Sequence, residues 1–151
     1  MTAFILYDNF ALAMRANVLL RRASATADQS LNWTVMACRT EMLKTRFLAD
    51  LALKEAIDAH LIICAWLDSR PFHHWAETWF EQWNACRTVS DAAIAVLGET
   101  NDPSWKGTAA ELARFSQQHG IPLIADANSV SEFSTGNRLS LPALERAQPF
   151  N

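Results

Sequence analysis

The residues able to do chemistry fall at the trailing ends of short apolar runs. AFILY (3–7) is followed by Asp8 and Asn9, WTVMAC (33–38) by Arg39 and Thr40, and LIICAW (61–66) by Asp68, Ser69 and Arg70. AIAVL (93–97) is followed by Gly98, Glu99 and Asn101, and PLIA (122–125) by Asp126. Carboxylates and guanidinium groups gathered in one crevice suit a hard divalent cation or a small anionic ligand. Asp8, Arg39, Asp68, Arg70 and Glu99 are therefore the candidate ligand-binding residues. For Asp8 and Asp68 there is a competing use. An aspartate at the start of a helix accepts hydrogen bonds from orphan N–H groups and complements the helix dipole, and that reading outweighs metal binding. No catalytic residue and no metal ligand is assigned.

The familiar catalytic and cofactor signatures are missing. YDNFALA after the first run contains no glycine, which excludes a dinucleotide fingerprint or a P-loop there, and no Ser/Thr/Gly-rich flavin-phosphate loop takes its place. GETNDPSWKGT (98–108) is polar and carries Gly98 and Gly107, but its Asn-Asp-Pro punctuation describes a surface turn. His73 and His74 are adjacent, so a helix would point them about 100° apart. His60 and His119 precede apolar runs instead of following them. With no H-E-x-x-H, Cys/His cluster or G-x-S-x-G, neither zinc chemistry nor a serine nucleophile is expected, and no cofactor is implied.

Tryptophan is over-represented. Four of the six fall between 66 and 83, and Trp75, Trp79 and Trp83 recur every four residues beside Phe72 and Phe80. Residues four apart share a helix face, so this stripe is first a core face. Its arc is wider than one sheet contact needs, and tryptophan is enriched at interface hot spots. Trp75, Trp79 and Trp83 are thus also candidate interface residues, toward the tail or a second subunit.

The elements that position these residues alternate. Between the five apolar runs lie helical patterns near 10–23, 41–58, 72–86 and 105–118. The runs at 3–7, 61–66 and 93–97 are apolar at nearly every position, as in strands covered on both faces. That predicts an α/β fold: a three-layer, doubly wound parallel sheet of five strands in the order 2-1-3-4-5, with a switch point between strands 1 and 3. Asp8 or Asn9, Thr40, Ser69 or Pro71, and Ser104 are the expected helix starts, and Gly120 the expected left-handed stop. Residues 1–126 form the expected domain. Residues 127–151, with LPALERAQ able to make two helical turns, form a tail.

Composition bounds the rest. The chain has 151 residues, half of them hydrophobic and 19% charged, with 13 basic against 16 acidic side chains. A net charge of −3 offers no bulk field for polyanions, and Arg15, Arg21 and Arg22 make only a small basic patch, so nucleic acid is not an expected partner. No apolar run approaches bilayer length, and no membrane association is expected. Three cysteines without a CxxC pair fit a reduced, cytoplasmic setting.

FILYDN, LIICAWLDSRP, IAVLG and GIPLIAD together resemble, over residues 1–126, a receiver domain of bacterial two-component signalling. Such domains bind Mg²⁺ through an acidic pair after the first strand and are phosphorylated on an aspartate ending the third. A Thr or Ser ends the fourth strand and a Lys the fifth. Here Asp8 matches one acid, and Asn9 stands in place of the other. The phosphoacceptor position falls near Ala65 or Trp66, with Asp68 two or three residues late. Leu97 and Gly98 occupy the hydroxyl position, and Ala125 or Asp126 the lysine position. The resemblance therefore implies the architecture and a phosphorylation-independent role through protein contact, with a protein partner or a homodimer. The alternative is a small-molecule or metal-binding enzyme that uses the crevice between strands 1 and 3.

Overall fold

A computed structural model describes residues 1–26, 32–66, 74–98 and 106–125. Five strands, β1 (Thr2–Tyr7), β2 (Thr34–Arg39), β3 (Leu61–Ala65), β4 (Ala93–Leu97) and β5 (Leu123–Ala125), alternate with four helices, α1 (Phe10–Thr26), α2 (Arg46–Ala56), α3 (His74–Cys86) and α4 (Lys106–His119). All strand pairs are parallel, and the sheet order is β2-β1-β3-β4-β5. The expected flavodoxin-like topology is observed.

The layers follow from that order. The chain moves from β1 to β2 in one direction and from β2 through β3, β4 and β5 in the other. Right-handed crossovers then put the first helix on one face and the remaining three on the opposite face. The core divides accordingly. Ala3 and Ile5 of β1 pack with Leu12, Ala16 and Leu20 of α1. Phe4 and Leu6, pointing the other way, pack with Ala52 and Ala56 of α2, Trp79, Phe80 and Trp83 of α3, and Leu112 and Phe115 of α4. Strands β3 and β4 are buried at every position, which is why their sequences show no polar alternation.

Two helix boundaries behave as expected. Asn9, the second of the two proposed caps, accepts the Leu12 N–H on Oδ1 at 3.1 Å and starts α1. Gly120 ends α4 at φ 65°, and the Ile121 N–H reaches back to the Ser116 carbonyl at 2.9 Å, closing a Schellman turn.

The second helix departs from expectation. Thr40 caps no helix. Residues Thr40–Lys44 form a 3-10 turn, and Thr45 is extended (φ −97°, ψ 121°) before α2 begins at Arg46. Leu43, buried in the core, holds this turn down, and the Thr45 N–H closes it on the Met42 carbonyl at 3.3 Å. α1 runs three residues beyond its expected end, to Thr26. The proposed starts at Ser69, Pro71 and Ser104 lie outside the described residues, as does the tail.

Candidate functional site at the C-terminal end of the sheet

The switch point between β1 and β3 is where the strand order reverses, and parallel sheets place ligands beyond this end. Tyr7 pairs with Ala65 across the two strands, and the Asp8 N–H continues the ladder onto the Ala65 carbonyl at 3.3 Å. Asp8 is exposed here, at the head of α1. The residue facing it across the switch point is Trp66, which is 6% exposed and belongs to the core under α2, α3 and α4. An indole thus stands level with the only acidic side chain that the described part of this rim carries on β1 and β3.

Arg39 ends β2 in register with Tyr7, and its guanidinium lies 5.9 Å from the centre of the Tyr7 ring. Its Nη1 is 3.7 Å from Oε1 of Glu41, an exposed pair that contributes little energy. Tyr7 in turn meets Phe10 edge-on at 6.5 Å. Arg39 is therefore folded against its own edge of the sheet. At the other side of the rim, Arg15 of α1 donates from Nη1 to the Gly98 carbonyl at 3.0 Å. Arg15, read from the sequence as part of a weak basic patch, is a tether between α1 and the end of β4. Only its spacing of about one and a half turns from the helix start hinted that it reaches this rim.

Of the proposed ligand-binding residues, Asp8 and Arg39 are brought to the same end of the sheet. Asp68, Arg70 and Glu99 lie outside the described residues, as do Ser69, Asn101 and Asp126. Among the described residues, no group of three or more His, Cys, Asp or Glu side chains is arranged to hold a metal ion.

The tryptophan stripe has a definite place. Trp79 is 1% exposed and Trp83 is fully buried. The Trp79 ring stacks on Phe4 at 5.9 Å, and its Nε1 donates to the Ala49 carbonyl at 3.3 Å. Trp83 Nε1 donates to the Ala56 carbonyl at 3.0 Å. Both indole N–H groups thus clasp α2 from α3, one helical turn apart on α3 and two on α2. The core reading of the stripe holds for these two, and neither offers surface to another molecule. Their burial corrects the interface reading: an indole N–H satisfied by a carbonyl of the same chain has no vacancy for a partner. Trp75 is half-buried, with the Lys44 ammonium 5.8 Å from its ring centre.

Cys64, Cys38, His60 and His119 serve structure. Burial pushes the Cys64 thiol far above its ordinary range, and burial together with the Glu55 charge raises that of Cys38 to about 11. Neither supplies a thiolate near neutrality. His60 sits at the opposite end of the sheet. There its Nδ1 accepts the Thr2 N–H at 3.1 Å, its own N–H donates to Thr2, and its carbonyl accepts from Ala93. His119 joins α4 to α3. Arg87 Nε donates to Asn84 Oδ1, which turns the Asn84 amide N–H toward His119 Nδ1 at 3.2 Å. That leaves His119 Nε2 to donate to Glu81 at 3.2 Å.

No helix among the described residues is long and apolar enough to cross a membrane. No family model, no curated protein and no solved structure matches the chain.

Proposed function

We propose that the chain is a receiver-like domain that acts through protein contact, without aspartyl phosphorylation. The observation that carries this reading is Trp66. At the level where a phosphoacceptor would face the acids of β1, the chain has a buried indole beside Ala65, and the end of β4 offers Leu97 and Gly98. Asn9, at the second acidic position, is committed to capping α1. The contact half of the reading is supported by the large apolar side chains the fold leaves outside: Phe10, Met14 and Val18 at four-residue intervals on α1, and Phe47, Leu48 and Leu51 on α2. Neighbouring exposed apolar residues of this size mark interaction surfaces.

The test uses the purified chain with acetyl phosphate and Mg²⁺, and a thermal-shift screen with Mg²⁺, Mn²⁺, nucleotides and flavins. The expected outcome is no covalent phosphate and no change in midpoint. Stoichiometric, Mg²⁺-dependent labelling overturns the proposal. So does a ligand-induced stabilisation that vanishes in Asp8→Ala, which would establish the crevice between β1 and β3 as the working site of a binding enzyme.

A further inference from the structure

Helix α2 is turned inside out. Its inward face is Ala49, Ala52, Leu53 and Ala56, mostly small residues beneath the indoles of α3. Its larger apolar residues point away from the core: Phe47 is 70% exposed, Leu51 43% and Leu48 36%. A helix serving only its own core would place the phenylalanine and leucines against the sheet and the alanines outside.

Beside this apolar ridge runs a second ridge of charge. Arg46, Asp50, Lys54 and Asp58 follow one another at four-residue spacing, alternately positive and negative, and all four are exposed. Arg46, Asp50 and Lys54 enter no ion pair among the described residues, and the Asp58 carboxylate is held in place by the Thr88 hydroxyl at 2.6 Å. The row is self-complementary. Rotated by a two-fold axis that passes outside α2 at the height of Ala52, it sets Asp50 level with Lys54 of the second copy, and Arg46 level with Asp58 of the second copy, which follows the end of α2. Both contacts then repeat by symmetry, which sets four pairs of opposite charge level with each other within this row; Glu55, also exposed, belongs to the Phe47–Leu51 ridge. The same rotation leaves the two Leu51 side chains about 3 Å apart along the helix axes, at 1.5 Å of rise per residue, with Leu48 and Phe47 on either side.

We infer that the partner of the α2 face is a second copy of this chain, bound antiparallel, helix against helix, about a two-fold axis that lies between the two helices at the height of Ala52. This rests on the protein-contact reading above and narrows it to one surface and one occupant. Burial of Phe47, Leu48 and Leu51 provides the affinity, and the alternating charges fix the antiparallel register.

Light scattering coupled to size exclusion, across a concentration series at low salt, tests it. The expected mass is twice the chain's 16.9 kDa, falling to the monomer value in Leu51→Glu. Asp50→Lys and Lys54→Asp each weaken association by about tenfold, the effect of turning two exposed attractive pairs into repulsive ones. The double variant Asp50→Lys/Lys54→Asp restores the pairing and most of the affinity. All these side chains are exposed, and unchanged circular dichroism shows that each variant is folded. A chain that is monomeric at every concentration overturns the inference, as does a dimer that ignores both single charge reversals. Those outcomes leave the phosphate and ligand screen untouched, so failure of the dimer and failure of the protein-contact reading register separately.

Discussion

At the scale of single residues, the question that decides between core and interface is what each polar atom touches. Trp83 shows this best. Its ring is enclosed by Phe80 at 6.3 Å and covered by the Arg87 guanidinium at 5.7 Å, and its N–H ends on Ala56. Trp83→Phe removes one buried hydrogen bond and part of a ring. The Ala56 carbonyl keeps a second donor in the Ala59 N–H at 3.0 Å. The expected loss is about 1–2 kcal/mol, against about 3–5 for Trp83→Ala, which also leaves a cavity. Chemical denaturation of each variant beside the natural chain measures both, and light scattering follows their assembly. If either tryptophan variant shifts assembly and leaves the unfolding midpoint unchanged, the placement of Trp83 in the core is wrong. Asn9→Ala is expected to cost about 1 kcal/mol by the same measurement, since the Leu12 N–H loses its side-chain acceptor.

At the scale of elements, the alternation of strands and helices was legible because β3 and β4 are apolar at every position, a pattern with few other uses in a chain of this length. The stop of α4 was legible because Gly120 adopts a conformation that side-chain-bearing residues avoid. Gly120→Ala meets no atom within 4 Å of the added Cβ, so its expected cost of about 1 kcal/mol is conformational alone. A drop in thermal midpoint of a few degrees checks it. The start of α2 was not legible. Thr40 has the right chemistry for a cap, but the burial of Leu43 pulls the chain into a 3-10 turn first, a tertiary effect that no local pattern carries. The outward face of α2 was hidden for a related reason. FLADLALKEA is apolar enough on two sides for either to be the inner one. The choice falls to the alanines because the Trp79 and Trp83 indoles occupy the volume that larger side chains would need. Of the candidate site, residue types and the end of the sheet were readable. The position of Trp66 at this rim was readable too, but its burial and the Arg15–Gly98 tether were not, because both depend on how side chains fold back after the strands end.

At the scale of the whole molecule, the two buried thiols couple stability to alkaline pH. Cys64 lies fully buried in the central strand β3, where a thiolate would lose its hydration, so burial raises its titration far above the ordinary 9.0. Cys38, at the edge of the sheet, is raised to about 11, first by burial and then by the Glu55 charge. In the unfolded chain both titrate near 9. Below that pH both states hold the protons and the thiols give no pH dependence. Above it the unfolded chain binds fewer protons than the folded one, so the free energy of unfolding falls as pH rises. For Cys38 the decline ends once pH passes about 11, and for Cys64 it continues. The limiting slope from Cys64 alone is about 1.4 kcal/mol per pH unit. Urea midpoints measured from pH 8 to 10.5 should therefore drop more steeply for the natural chain than for Cys64→Ala. That variant starts less stable because it leaves a small cavity, and it loses stability more slowly as base is added. Parallel slopes would mean that β3 opens to solvent without global unfolding, and that the sheet is not the single cooperative unit its burial describes.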